Sequence, residues 1–380
     1  MKFRCERDVL LEALTTAGRA VASRGGALPV LSGIRLEISG NQLRVAGTDL
    51  DLTIQMSTGV TGAGDGVAIA PGRLVTDIVR ALDPGAVTVE SDDDDELRIV
   101  AGRSQFTVRT HPAGDFPRLP VVSGDAVRLP ATRLAEALRQ VVRAASSEDS
   151  RPILTGVLMA AEAGGLRLVA TDSYRLAVRD LPGVGVLRED QHVLVPSRAL
   201  TELQRLLSSS RQPDGAGEAA AEDGPSAILR LGDHDATFEL GAVQLTTRLI
   251  EGDFPNYRAL IPSNYPNSLI VGREALLDAV RRVKLLVRDP TTPVRIAMRS
   301  DGIELTVVTQ DWGQATEDVD AKYEGAEMTV AFNPAYLIDG VEAITSDEVQ
   351  LETLDALKPA TLKPTEGSDY LYLLMPVRVS

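Results

Sequence analysis

The 380-residue chain is poor in cysteine, histidine and aromatic side chains, and it has no long apolar run. Its single cysteine, Cys5, cannot form an internal disulfide, which favours a reducing compartment. Charged residues such as Lys2, Arg4 and Arg7 stand where a signal peptide would need an apolar core. No uncharged stretch approaches the ~20 residues that span a bilayer. We therefore expect a soluble, cytoplasmic protein whose cores consist mainly of Leu, Val, Ile and Ala.

Sequence motifs for catalysis and for metal binding are also missing. The three histidines, His111, His192 and His234, form no HExxH motif, and a CxxC pair is impossible with one cysteine. The chain has no GxSxG elbow, no phosphate-binding loop and no dinucleotide-binding glycine motif. The acidic run at 92–95 is typical of an exposed hairpin tip. We expect no catalysis, no metal and no cofactor; the alternative is an enzyme with an unrecognised site.

The net charge of −15, from 39 Lys+Arg and 54 Asp+Glu, argues by itself against a nucleic-acid binder. The distribution of the charges weakens that argument. Six predicted helices together carry +7, which leaves −22 on the rest of the chain. Five of them are net positive: 7–24, 73–82, 131–145, 197–211 and 273–288. The sixth, 333–344, carries −2. The basic faces are either ordinary solvated surfaces or parts of one positive surface that meets a polyanion.

The most informative feature is an internal triplication. The motif Leu28–Ile34 recurs as Arg151–Val157 and, more weakly, as Thr292–Met298. Thr48-Asp49 recurs as Thr171-Asp172, and Gln310-Asp311 is predicted to take the third Thr-Asp place. The spacing is far above that of a solenoid, so each copy is large enough to be a domain. We predict domains at 1–124, 125–266 and 267–380, with a surface loop at 208–226 in the second.

Each copy shows the same order of predicted elements. A helical pattern opens the copy, alternating strands follow, and a second helix begins beside Pro71, Pro196 or Pro334. More strands close the copy. Two helices on an antiparallel sheet layer give an α+β fold. Because the Thr-Asp pairs recur at equivalent places, we predict that they organise turns and take no part in catalysis.

Several segments, taken in order, resemble the bacterial sliding clamps, the beta subunits of DNA polymerase III. The matching segments are Met1–Leu10, Leu28–Gly33, Ala170–Val178, Glu251–Arg258 and Tyr372–Arg378. The resemblance covers the whole chain and implies three clamp-type domains that form a ring as a head-to-tail homodimer. It also implies a non-catalytic processivity factor that encircles duplex DNA, is loaded by an ATP-dependent clamp loader and associates with the replisome at the nucleoid. A second hypothesis within the family is a specialised or resistance-type paralogue.

The resemblance also implies functional residues, to which helix phase adds some. By family position, Arg24, Arg73 and Arg198 face DNA; helix phase adds Arg139, Arg143, Arg281, Lys284 and Arg288. A cleft would bind short linear motifs of the replicative polymerase alpha subunit, the clamp loader, and repair and translesion polymerases. The cleft residues are Leu154, Thr171, Ser173, Tyr174, Arg175, Leu176, Pro255, Leu260, Leu373, Met375, Pro376 and Arg378. The dimer interface would join Phe106 and Val108 to Leu285 and Leu286.

Alternatives remain open for these sites. Leu176, Leu260 and Leu373 could be plain core residues, as could the four interface residues. Each basic residue could be merely solvated or paired with a carboxylate. Some members of the family have glycine and histidine where this chain has Ser173 and Tyr174, which affects the depth of the cleft and its motif preference.

Overall fold

The computed structural model describes residues 1–22, 28–91, 95–162, 164–188, 191–209, 226–289, 291–367 and 369–378. All six predicted helices occur within them: α1 Arg7–Gly18, α2 Gly72–Ala81, α3 Ala131–Val141, α4 Ser197–Ser209, α5 Arg273–Lys284 and α6 Pro334–Ala343. The predicted loop at 208–226 falls almost wholly outside the described residues, as do Arg24 and most of the acidic run at 92–95.

Twenty-six strands accompany the helices in the described part of the chain. The first copy contributes β1 Lys2–Glu6, β2 Gly33–Ser39, β3 Gln42–Thr48, β4 Leu52–Gly59, β5 Thr61–Gly64, β6 Gly66–Pro71, β7 Ala86–Ser91, β8 Glu96–Ala101 and β9 Ser104–Arg109. The second contributes β10 Val127–Pro130, β11 Gly156–Glu162, β12 Gly165–Thr171, β13 Arg175–Pro182, β14 His192–Pro196, β15 Ser226–Leu231, β16 Asp235–Leu240 and β17 Val243–Arg248. The third contributes β18 Asn267–Gly272, β19 Val294–Arg299, β20 Gly302–Thr309, β21 Gly313–Val319, β22 Ala321–Glu324, β23 Met328–Phe332, β24 Glu348–Thr353, β25 Ala360–Pro364 and β26 Tyr370–Leu374.

The chain divides into two compact units, residues 1–132 with 202–249 and residues 133–201 with 250–380. The first unit contains a five-stranded sheet, β5-β1-β7-β8-β9, and an eight-stranded sheet, β10-β15-β16-β17-β4-β3-β2-β6. The second unit contains a nine-stranded sheet, β14-β11-β12-β13-β26-β25-β24-β18-β22, and a four-stranded sheet, β21-β20-β19-β23. Neighbouring strands in all four sheets run antiparallel, which confirms the α+β prediction.

Two of these sheets join successive copies by one repeated rule. The strand after the Thr-Asp turn of the first copy, β4, pairs with the last strand of the second copy, β17. In the same way β13 of the second copy pairs with β26, the last strand of the third. The rule leaves over two equivalent strands, β21 of the third copy and β9 of the first. Each lies at the edge of its sheet.

The hairpin register corrects one part of the predicted repeat. The hairpin ladders place Gln42, Gly165 and Gly302 at the same position, each at the start of its strand. Counting six residues on leads to Thr48 and Thr171 in the first two copies and to Val308 in the third. The prediction that Gln310-Asp311 takes the Thr-Asp place is therefore wrong, because the turn after β20 has a different length.

A close approach of helix and sheet shapes the core of the first copy. Leu10, Leu14 and Ala17 of α1 are fully buried in a cluster that includes strand residues such as Val45. A Cβ atom on Gly47 would stand 2.2 Å from the Ala17 carbonyl oxygen. The missing side chain therefore allows the end of α1 to contact the backbone of β3.

We predict that Gly47→Ala lowers the free energy of unfolding by about 1–3 kcal/mol, because the helix must shift away from the sheet. Gly59→Ala is the matched control, since a Cβ atom there has nothing within 4 Å. Urea denaturation measures both. Equal effects of the two substitutions would contradict the packing role of Gly47.

Candidate functional site

The turn between β12 and β13 is held by the Thr-Asp pair. The Thr171 hydroxyl donates to the Arg175 carbonyl at 2.7 Å. One carboxylate oxygen of Asp172 accepts from the backbone N–H groups of Tyr174 and Arg175, at 2.9 and 3.0 Å. In the first copy Asp49 accepts two backbone N–H groups in the same way. The predicted turn role of these pairs is confirmed.

Residue Ser173 gives this turn an unusual backbone conformation. Its φ of 78° is left-handed, and Leu50 at the equivalent place of the first copy has a φ of 84°. Such angles are uncommon for residues other than glycine. The Arg151 guanidinium donates to the Ser173 hydroxyl at 3.1 Å and so helps to hold the turn. The next side chain, Tyr174, points outward and is 57% exposed.

Two residues of α6 complete the surroundings of this turn. The rings of Tyr174 and Tyr336 stack with centroids 6.4 Å apart and an interplanar angle of 27°. The Arg175 guanidinium lies 4.3 Å from the Tyr336 ring centroid and pairs with the carboxylates of both Asp172 and Asp339. Sequence reasoning missed Tyr336 and Asp339. The one available signal was the negative charge of the predicted helix 333–344, in contrast to the other five.

Beside the turn lies an apolar surface with a buried floor. Leu176 and Leu373 face each other across β13 and β26, and each is 1% exposed. They belong to one core cluster with Tyr257, and Leu154 is buried as well. Leu176 and Leu373 are therefore core residues in this structure, and their place in a binding cleft stays a prediction.

The rim of this surface is accessible and partly apolar. Tyr174, Leu260 and Met375 are exposed, and the Met375 N–H donates to the Tyr174 carbonyl at 2.9 Å, which fixes the C-terminal segment against the turn. Among the remaining predicted cleft residues, Pro255 and Arg378 are exposed and Pro376 is half-buried. We call the set of Tyr174, Leu260, Met375 and the buried leucines the cleft.

Tyr372 ties the cleft to α6. Its hydroxyl donates to the Tyr336 carbonyl at 2.9 Å, and burial raises the pKa of this phenol, so it stays protonated as a donor. A Cβ atom on Gly340 would lie 2.5 Å from the Tyr372 ring. Glycine at this position therefore allows the helix to rest directly on β26, which brings the side chains of α6 to the cleft.

Carboxylates of α6 also pair with basic residues that the sequence analysis assigned to DNA. Glu342 pairs with Arg143 at 2.7 Å and with Arg281 at 2.8 Å, and Asp339 lies 3.6 Å from Arg143. Burial opposes ionisation of Glu342, but hydrogen bonds from Arg143 and Arg281 outweigh it and lower the pKa of that carboxyl. Asp339 thus links Arg175 of the cleft to the basic group at Arg143.

The structure changes the interpretation of Arg139. Its guanidinium donates to the carbonyls of Glu342 and Ala343, at 2.9 and 3.2 Å, and so caps the C-terminal end of α6. Two of the five N–H donors of Arg139 thus hold the end of α6, and its contact with DNA stays a prediction.

The other predicted DNA residues have varied surroundings. The Arg73 side chain is 97% exposed, with Asp77 at 3.9 Å. Arg198 is exposed and Lys284 half-buried. The Arg288 guanidinium lies 5.4 Å from the ring centroid of Trp312, an exposed aromatic residue that sequence reasoning did not select.

The predicted interface residues differ in their exposure to solvent. Val108 is 7% exposed and belongs to the core of the first copy, and its place at an interface stays a prediction. Phe106 is 37% exposed, although the residues that take its place in the two joined sheets, Leu245 and Tyr372, are at most 1% exposed. Leu285 is 76% exposed.

Within the described ranges there is no group of three or more His, Cys, Asp or Glu side chains that could hold a metal ion. None of the helices in that part of the chain is long and apolar enough to cross a membrane.

Comparisons with known proteins match one protein family along almost the whole chain. Models of the N-terminal, central and C-terminal domains of the DNA polymerase III beta subunit match residues 1–120, 128–256 and 258–378. The Beta sliding clamp of Streptomyces coelicolor is 35% identical over 398 residues, and that of Synechocystis is 33% identical over 401, with full coverage of both chains in each case. The solved DNA polymerase sliding clamp from Bacillus subtilis is 27% identical, with a TM-score of 0.90 over 100% of both chains.

Proposed function

The chain belongs to the DNA polymerase III beta subunit family and is a non-catalytic DNA sliding clamp, and we propose that the edges, basic residues and cleft described above perform this function. The observation that carries the proposal is the pair of unmatched edge strands. A processivity factor of this kind holds DNA by encircling it. It therefore needs a second chain to close the ring, and contacts to DNA that are loose enough to allow sliding.

A closed ring follows if the pairing that joins the copies within one chain, β4 with β17 and β13 with β26, also joins two chains. If β21 of one copy pairs with β9 of another as β4 pairs with β17, Phe106 stands opposite Ala315 of the second copy. This reproduces the pairing of Tyr372 with Ala177 at the second junction, where an aromatic ring also faces alanine. The exposed Phe106 would then become buried. Pairing of this kind is heterologous, so two copies can close head to tail.

DNA contact relies on basic side chains on the helices and just after α5. We assign Arg73, Arg198, Lys284 and Arg288 to phosphate contacts, and Arg143 and Arg281 to contacts that compete with Glu342. Phosphate contacts position a protein on DNA without reading its sequence. The carboxylates of α6 moderate the positive charge of Arg143 and Arg281, which favours sliding over tight binding.

The cleft is suited to short linear motifs with apolar anchors. Met375 is flexible and polarisable, so it adapts to different side chains. Tyr174 offers a large ring that is already ordered by Tyr336. We propose that the replicative polymerase, the clamp loader, and repair and translesion polymerases use this cleft in turn.

We predict that the loaded protein stays on circular duplex DNA and leaves linear DNA through its free ends. Gel filtration of labelled protein after loading by a clamp loader measures retention. A linear molecule with both ends blocked is the control and retains the protein. Equal retention on open linear and circular DNA would show that the protein holds DNA by affinity, in contradiction to the topological mechanism.

We predict that Phe106→Ser weakens self-association by about 30-fold or more, because a large apolar side chain is no longer buried at the interface. Analytical ultracentrifugation should show a shift toward the 40.5 kDa monomer. Val121→Ser is the control, since this side chain is 85% exposed and lies outside β9. Equal association of both variants would overturn the pairing of β9 with β21.

We predict that Glu342→Gln strengthens binding to duplex DNA and increases the salt dependence, since Arg143 and Arg281 each lose their nearest carboxylate. Each additional phosphate contact steepens the slope of log K against log salt by about 0.9. Fluorescence anisotropy at several salt concentrations measures the slope. Glu90→Gln, which removes the same charge from an exposed pair with Lys2, is the control. Identical slopes for the two variants would exclude competition by Glu342.

We predict that Met375→Ala lowers the affinity for a peptide copied from the C-terminal tail of the replicative polymerase by about fivefold to twentyfold, the effect of losing part of an apolar contact. Titration calorimetry measures the change. Leu357→Ala is the control, because Leu357 is 66% exposed outside the cleft. Leu176→Ala is a poorer test, since truncation of this buried residue also destabilises the fold by about 2–5 kcal/mol. Unchanged affinity in Met375→Ala would place the motif elsewhere.

A further inference from the structure

The two junctions within the chain continue for one backbone hydrogen bond beyond their ladders of paired residues. At the first junction the Arg248 N–H donates to the carbonyl of Asp51, the residue directly before β4, at 2.9 Å. At the second the Met375 N–H donates to the carbonyl of Tyr174, the residue directly before β13, also at 2.9 Å. We call this position the end rung of a junction.

The pairing of β9 with β21 of a second copy has an equivalent end rung if it follows the same register. Where Phe106 stands opposite Ala315, a step of three residues along both strands brings Arg109 of one copy opposite Trp312 of the other. Trp312 lies directly before β21, as the accepting residues of the other two junctions lie directly before their strands. The end rung between two copies therefore consists of Arg109 and Trp312.

The side chains of the end rungs differ in kind, but each pair has a chemistry that attracts. The first rung joins a carboxylate to a guanidinium, and the second joins an aromatic ring to a thioether, which is a favourable combination of ring and sulfur. The third joins the indole of Trp312 to the guanidinium of Arg109. Among aromatic side chains tryptophan attracts a cation most strongly, and arginine is the more frequent cation in such contacts.

Trp312 has a ring face that can receive this cation. It is the only tryptophan of the chain, and it is 64% exposed. The guanidinium of Arg288 lies over its ring, 5.4 Å from the centroid, which leaves the opposite face for a second cation. Arg109 is exposed as well, and it alternates along β9 with the core residue Val108, so its side chain projects from the outward face of the sheet.

The other outward positions of the two edges are complementary in the same register. Side chains that stand directly opposite each other in an antiparallel pair lie on one face of the sheet and interact. This register places a cation against a carboxylate and amides against hydroxyls, in the pairs Arg103 with Asp318, Gln105 with Thr316, and Thr107 with Gln314. A shift by one residue would break all of these pairs.

We propose that Arg109 of one copy contacts Trp312 of a second copy, with the guanidinium on the free face of the indole. This contact fixes the register of β9 against β21, because a shift of either strand would carry the guanidinium off the ring. It rests on the proposed pairing of β9 with β21, and the experiments separate the two.

Arg109→Ala should weaken self-association by about tenfold or more, because a ring of two chains contains this contact twice. Arg128→Ala is the matched control, since Arg128 is also exposed and lies on another edge strand, β10. Analytical ultracentrifugation measures both dissociation constants. If the two are equal while Phe106→Ser dissociates the protein, the contact is overturned and the strand pairing stands. If Phe106→Ser leaves association unchanged, the strand pairing fails and the contact fails with it.

A mixture of two variants tests whether the residues meet across chains. A dimer of one Arg109→Ala chain and one Trp312→Leu chain keeps one unaltered end rung, whereas a dimer of either variant alone keeps none. The mixture should therefore associate about threefold more tightly than either variant alone, beyond the statistical preference for mixed dimers. No such gain would show that each residue acts only within its own chain, which overturns the proposal.

The fluorescence of Trp312 gives a second readout, since no other tryptophan contributes to the signal. In the dissociated Phe106→Ser variant the emission should shift to longer wavelength than in the wild-type dimer, because the indole returns to water. Unchanged emission in that variant would likewise overturn the contact of Trp312 with Arg109.

Discussion

Pairing between the edge strands of successive copies is the interaction on which the rest of the structure depends. An open strand edge exposes a row of unpaired N–H and C=O groups, so it must be covered or paired. In this chain two such edges are paired in the same way, β4 with β17 and β13 with β26. The copies are therefore linked by backbone hydrogen bonds in sheets of eight and nine strands. The two edges left over, β9 and β21, are the same pair of strand types, which is why self-association follows from the fold.

The same ladder explains why the cleft belongs to the second junction. At the first junction Thr53 faces Thr246, whereas at the second Leu176 faces Leu373. The backbone is equivalent, but only the second junction offers an apolar floor. Tyr174 and the tail at Met375 add an accessible rim there. The two junctions thus share one backbone pairing but differ in their side chains, polar at the first and apolar at the second.

Carboxylates of α6 connect the functional parts of the second unit. Asp339 pairs with Arg175 in the cleft and lies near Arg143, and Glu342 holds Arg143 together with Arg281. The position of these carboxylates depends on Gly340, since a larger residue would collide with the Tyr372 ring. The negative charge of α6 therefore neutralises part of the positive charge of Arg143 and Arg281.

The sequence by itself determined the triplication, the six helices, the α+β class and the turn role of the Thr-Asp pairs, because repeats, periodicity and turn chemistry are local properties. The resemblance to the family predicted the cleft residues. Only the tertiary structure decided that Val108 is a core residue, that Arg139 caps α6, and that Tyr336 and Asp339 surround the cleft. The position in the third copy that corresponds to the Thr-Asp turn could likewise be found only from the pairing of the strands. These facts depend on which side chains meet across distant strands and helices, and sequence spacing does not encode such contacts.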